Sequence, residues 1–272
     1  MKGESGYSGE HRKRMSNRKL LVYLLVAFVL GFFLGYGVKG CSRKPSSLST
    51  KEYKGRAAII IDDFGYNKKI AEEFIDLDIP LNISILPKLP YSVTVAEMAK
   101  AKGKEVMFHL PLEPYGYPNV DPGPGVILVK MSKGEILRQL EEDLQSVPYA
   151  VGVDNHEGSR ATESKELMTT VLKYLKRKNL FFIDARASSK SVANDVAKQL
   201  GLRSAKNEVF LDNQRNVGYI KERVRLLIKL AQQEGKAIAI GHPHSKMLQV
   251  LKESIPLFEK ERIKLVFVSE LL

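Results

Sequence analysis

The chain has 272 residues and a mass of 30.5 kDa, enough for one large domain and an appendage. Hydrophobic residues at 44% and charged residues at 27% exclude wholesale disorder, and the single cysteine, Cys41, excludes intrachain disulfides and cysteine-based zinc clusters. The net charge is +12, but residues 1–49 hold 9 Lys/Arg against 2 Asp/Glu, so more than half the excess sits in the first fifth of the chain and a nucleic-acid partner is not expected.

Taken in order, the chain opens with a basic tail, residues 1–19. Leu20 to Val38 then runs 19 residues without a charge. As a helix it would span about 28 Å, close to the hydrocarbon thickness of a bilayer. It is apolar on every face and flanked by Arg18, Lys19 and Lys39, which argues against a buried core helix. A cleaved signal peptide would have a shorter apolar stretch and a small-residue cleavage site. A lipid-attachment reading of Cys41 is opposed by Lys39 two residues before it. An uncleaved single-pass anchor in the inner, cytoplasmic membrane is the expectation. Arg12, Lys13, Arg14, Arg18 and Lys19 favour the N-terminus in the cytoplasm, which leaves the rest on the periplasmic side. Residues 39–55, with Pro45 and several serines, read as a flexible stalk.

From Arg56 to the C-terminus the hydrophobic period keeps switching. Strands are expected at 57–62, 81–86, 105–110, 149–154, 180–184, 236–241 and 263–268. Helices are expected at 67–77, 91–103, 132–145, 163–178, 191–200, 217–234 and 245–260, with a Ser132–Glu135 capping box opening the third. Short apolar strands separated by helices imply a parallel sheet covered on both faces. About seven such units predict an α/β domain over 56–272, an open or distorted β/α barrel.

The strands end in chemistry-bearing residues. The first ends in Asp62-Asp63-Phe64-Gly65, the third in His109-Leu110-Pro111, and the fourth in Asp154-Asn155-His156-Glu157-Gly158-Ser159. The fifth ends in Asp184-Ala185-Arg186, and a later one in Gly241-His242-Pro243-His244. In a β/α fold these ends share one rim, where active sites form. Four of the five histidines fall there. Aspartate and histidine suit Zn²⁺ or a similar divalent ion with one position left for water. Asp62 and Asp63 reach one site only if the strand breaks there, since consecutive strand residues point opposite ways. Gly65 supports that break. Each residue also has a structural reading: an aspartate at a strand end caps helices, Asp184 can pair with Arg186, and only one of His242 and His244 is expected to face the rim. The loop from Pro111 to Gly125, with Tyr115 and Tyr117, is a candidate substrate surface.

These ordered runs, together with His109-Leu110-Pro111-Leu112-Glu113-Pro114, resemble the divergent polysaccharide deacetylases over roughly residues 56–270. That family is related to carbohydrate esterases of the NodB type. The resemblance implies a distorted β/α barrel, a divalent metal with Zn²⁺ expected, and a polysaccharide substrate losing N-acetyl groups. It implies Asp62 as base, Asp63 as metal ligand and His242 as acid. The esterases carry two ligand histidines on one His-x-x-x-His segment. Here Glu113 stands four residues after His109, so His156 is the expected third ligand beside Asp63 and His109, and Glu113 is its rival. Asp184 completes the expected catalytic set. Asn155, Ser159, Glu113 and Arg186 are the expected substrate contacts. A catalytically inactive glycan-binding or scaffold protein on this fold, and a metal-dependent glycosidase or amidase, are the alternatives.

Overall fold

Parallel strands alternating with helices make up residues 52–272, the part of the chain that the computed structural model describes. The expected tail, anchor and most of the stalk lie outside these residues. No helix of the described part is long and apolar enough to cross a membrane.

Nine strands form one sheet: β1 (Gly55–Phe64), β2 (Asn82–Ile85), β3 (Glu105–Leu112), β4 (Ala150–Glu157), β5 (Phe181–Asp184), β6 (Ser204–Lys206), β7 (Val209–Phe210), β8 (Lys236–Gly241) and β9 (Ile263–Leu265). Their order is β6-β5-β4-β3-β2-β1-β8-β7, every pairing is parallel, and β9 pairs with the first residues of β1. The sheet curls into a partial barrel. Between β6 and β7 only Asn207 and Glu208 intervene, and their N–H groups donate to Asp184 O and Ile238 O on opposite edges. Seven strands were expected; β6 and β7 are too short, at 3 and 2 residues, to leave a periodic signal. The expected stalk end at residue 55 falls inside β1, because Lys54 N–H already donates to Arg262 O.

Seven helices cover the outside: α1 (Lys68–Ile75), α2 (Ser92–Ala101), α3 (Lys133–Gln145), α4 (Lys165–Arg177), α5 (Ala193–Gln199), α6 (Val217–Glu234) and α7 (Ser245–Lys260). Most begin where a polar side chain takes up a free N–H: Asn67 for α1, Ser164 for α4, Asn216 for α6 and His244 for α7. The Ser132–Glu135 capping box opens α3 as expected.

Alternation along each strand sorts the core into two clusters. Ala57, Ile59, Ile61, Phe108, Val153 and Phe182 face the helices. Ala58, Ile60, Met107, Phe181, Ile183, Ile238 and Ile240 fill the barrel interior. On β1, β3 and β8 the interior column turns polar at its C-terminal end, so Ile60 is followed by Asp62, Met107 by His109 and Ile240 by His242.

Interior space is fully used beside Gly152, where an added Cβ would lie 2.1 Å from the Phe181 ring. Gly134, on α3, has nothing within 4 Å of that position. Gly152→Ala is expected to destabilise the protein by about 1–3 kcal/mol through overpacking. Gly134→Ala is expected to stabilise it by about 0.5–1 kcal/mol through helix propensity. Urea midpoints with unchanged m-values check both.

Candidate metal centre and its surroundings

The sequence Asp62-Asp63 sits on a break in β1. Pairing with β2 is regular to Ile61, then shifts before Phe64, as in a β-bulge. Asp63 adopts a left-handed backbone, φ 56°, and Gly65 follows at φ 127°. A Cβ on Gly65 would press to 2.8 Å from Leu89. The irregularity turns Asp63 to the same mouth as Asp62.

Two further strands deliver imidazoles there. His109 on β3 pairs in register with Asp154 on β4, and His156 lies two residues on along the same face of β4. His156 Nδ1 is 3.0 Å from His109 Nε2 and 3.0 Å from Asp63 Oδ1, and His109 Nε2 is 3.3 Å from the same oxygen. Asp63 Oδ1 is buried, yet no N–H is aligned to donate to it. One hard oxygen and two borderline nitrogens with mutual distances of 3.0–3.3 Å match the edges of a coordination shell. Bond lengths of about 2.0–2.1 Å around zinc give edges of roughly 3.3 Å. These residues therefore fit a divalent ion.

His109 is held from behind. Its Nδ1 faces Asp154 Oδ2 at 3.1 Å, and Ser84 on β2 donates its hydroxyl to Asp154 Oδ1. Asp154 is fully buried. A carboxylate behind a ligand imidazole fixes the ring and its tautomer.

Opposite stands His242. Its Nδ1–H and backbone N–H donate to the two oxygens of Asp212, at 2.9 and 3.0 Å. His244 accepts the Met247 N–H at Nδ1, so its proton sits on Nε2 and is donated to Asp212 Oδ2 at 2.9 Å. Asp212 thus receives three donors. The free Nε2 of His242 points at Asp62 Oδ1, 3.6 Å away, and Asp63 Oδ2, 3.8 Å away.

Burial and neighbouring charge divide the protonation states. Burial pushes the Asp62 carboxyl up to about 7 against the pull of His109 and His242. Burial would also raise Asp63, but the imidazoles of His109 and His156 outweigh it and hold it far below the usual carboxylate range. Burial lowers His242, but the Asp212, Asp62 and Asp63 carboxylates prevail and raise it to about 9.

A cavity of about 330 Å³ opens beside these groups, lined by Asp63, Tyr66, Ile70, Arg215, His242 and His244 among others. Tyr66 is 60% exposed.

The remaining sequence-expected residues lie elsewhere. Asp184 faces away from the interior, because Phe181 and Ile183 take the inward positions of β5. Its carboxylate accepts from the Arg186 N–H and the Ser191 hydroxyl, so its expected catalytic place is not the one the structure provides. Asn155 points outward between Asp154 and His156 and ties Ala185 N–H to Glu157 O. Glu113 is buried and bound to Arg160 Nη1 at 2.7 Å and to the Val129 N–H, which removes it as the rival ligand. The Ser159 hydroxyl accepts from Tyr115 N–H. Arg186 lines a separate cavity with Asn207, Glu208 and Arg223. Ser84, Asp212, Tyr66 and Arg215 were missed. Asp212 lies two residues beyond β7, a strand too short to leave a periodic signal, so no pattern in the sequence marked it.

The model of the family described as divergent polysaccharide deacetylase matches residues 59–272. The chain belongs to this family. The deacetylase-like domain is 34% identical over 209 residues to the uncharacterized protein YibQ of Escherichia coli K12, covering 77% of this chain. The match spans 65% of that relative, less than two thirds of its length. A structure of an uncharacterized protein from Agrobacterium tumefaciens C58 superposes with a TM-score of 0.77 at 22% identity, covering 81% of this chain and 90% of that one. A Bacillus anthracis protein described as a CE4 family pseudoenzyme superposes at 0.50 with 14% identity, covering 79% and 64%. These structures share the fold of this domain.

Asp154→Asn is expected to weaken divalent-cation binding about 10–100-fold, since the His109 ring loses its orienting charge. Glu113→Gln is expected to leave the bound-ion count unchanged and to cost about 1–3 kcal/mol of stability. Competition against a chromophoric chelator, together with thermal melts, separates the two.

Proposed function

We propose that this domain is a metal-dependent hydrolase that removes N-acetyl groups from an envelope polysaccharide. The observation that carries the reading is one mouth holding a half-buried Asp-His-His set on one side and an acid–base pair, Asp62 and His242, on the other. Membership of the deacetylase family supports it.

Asp63, His109 and His156 would hold the ion, with Zn²⁺ expected. Such an ion supplies positive charge that polarises an acyl oxygen and acidifies water. The chain's residues do the rest. Asp62, raised to about 7, accepts the proton of the attacking water near neutral pH. Water oxygen bonds to the acetamide carbon and the C–N bond breaks. His242, protonated and anchored at Nδ1 by Asp212, gives its Nε2 proton to the departing amine nitrogen. Asp62 Oδ1 and His242 Nε2 are 3.6 Å apart, a gap that one water can bridge to carry the proton back after acetate leaves. The adjoining cavity, with exposed Tyr66, is the place for the sugar ring.

The domain's site of action follows from the N-terminal sequence: an anchor at 20–38 and a basic flank would hold it on the periplasmic face of the inner membrane. The full-length chain is expected to resist alkaline carbonate extraction and a chain lacking residues 20–38 to be released by it.

Acetate release from acetylated oligosaccharides, assayed with Zn²⁺, Co²⁺ and Mn²⁺, tests the activity. Asp62→Asn is expected to lower kcat at least about 100-fold, the range of general-base contributions. Asp63→Ala and His109→Ala are expected to lose the ion and the activity together. Saccharide binding without acetate release would establish a binding or scaffold role, and chain shortening a glycosidase.

A further inference from the structure

Asp63 presents its two carboxylate oxygens to different partners. Oδ1 faces His109 Nε2 and His156 Nδ1. Oδ2 faces His242 Nε2, 3.8 Å away. The same Nε2 lies 3.6 Å from Asp62 Oδ1. Asp62, Asp63 and His242 thus form a second group of three ligand atoms that shares Asp63 with the first. Asp62 is only 4% exposed, and its Oδ1, aimed into this group, has no hydrogen-bond partner. His242 Nδ1 donates to Asp212, which leaves Nε2 as the coordinating nitrogen.

Charge supports a second cation. Asp62, Asp63, Asp154 and Asp212 are linked through His109 and His242, and among the described residues no lysine or arginine pairs with any of them. Cation binding displaces the protons of Asp62 and His242, and with all four carboxylates ionised and the imidazoles neutral one divalent ion offsets only two of the four charges. We propose that Asp62, Asp63 and His242 bind a second divalent cation, bridged by Asp63 to the ion at Asp63, His109 and His156. The inference rests on that first placement but not on the deacetylase reaction.

The ranking of the sites follows from their dimensions. Edges of 3.6 and 3.8 Å are wider than the 3.0–3.3 Å of the first set. The second ion therefore binds more weakly. It occupies the oxygen and nitrogen that the hydrolysis reading assigns to the base and the acid, so excess Zn²⁺ inhibits.

The test is equilibrium dialysis of full-length, chelator-stripped protein against rising Zn²⁺, with metal counted by elemental analysis. Two ions per chain with separated affinities are expected. His242→Gln and Asp62→Asn should each retain one, and His156→Ala should lose the tighter one. Circular dichroism melts report whether each variant is folded, and two independent variants guard against loss of one. In the wild type, Mn²⁺ at saturation should give the electron paramagnetic resonance spectrum of an exchange-coupled pair. None or one ion at saturation in the wild type, two ions in both folded variants, or only isolated Mn²⁺ signals would overturn the proposal. Two ions at saturation, with no acetate release at any lower Zn²⁺ concentration including one ion per chain, would uphold it and refute the deacetylase reading instead.

Discussion

The left-handed backbone at Asp63 is the constraint on which the site depends. In a regular strand Asp62 and Asp63 would face opposite sides of the sheet, one toward the barrel interior and one toward the helices. The bulge after Ile61 and the positive φ at Asp63 bring both carboxylates to the same mouth. Asp63 then becomes the point to which two other strands direct their imidazoles, His109 from β3 and His156 from β4. Such a conformation is unfavourable for a residue other than glycine, and it persists where surrounding structure over-determines it. Here Gly65 packs against Leu89 immediately behind the break.

A second feature is the polarity gradient inside the barrel. Low in the interior the inward side chains are Ala58, Ile60, Met107, Phe181, Ile183, Ile238 and Ile240. At the mouth they become Asp62, His109, Asp154, His156 and His242. The apolar floor raises the cost of charge above it, which is why Asp62 gains protons so readily. Carboxylates outside the reacting group then orient the imidazoles: Asp154 behind His109, Asp212 behind His242. His244 joins this outer layer while capping α7, so a single side chain begins a helix and braces the site.

Much of this was legible in the residues. The helices came from hydrophobic periodicity and caps, and α6, α7 and β8 match their expected limits. The strand-end histidines His109, His156 and His242 lie at one mouth, and His156, expected because position 113 is not a histidine, stands beside His109 and Asp63. The residues placed elsewhere share a physical reason. Asn155, Glu113, Ser159 and Asp184 sit in the right motifs, but their side chains are turned outward or taken up by neighbouring backbone and Arg160. β4 also runs on to Glu157, past its expected end at residue 154, so Asn155 and His156 alternate out and in as strand residues do.

From the sequence alone come the α/β class, the family, the rim on which chemistry gathers and the types of side chain present there. Local preferences and the ordering of polar residues along the chain are enough for that. Which of those side chains meet was decided only by tertiary structure. Strand parity, parallel register and one backbone bulge set direction at each position. Such directions depend on pairing partners 20 to 200 residues away, as when Ile61 lies beside Ile83 on one side and Gly241 on the other. Asp212 shows the limit most plainly: the strand just before it is two residues long, and its role exists only because β7 lies beside β8 and brings it under His242.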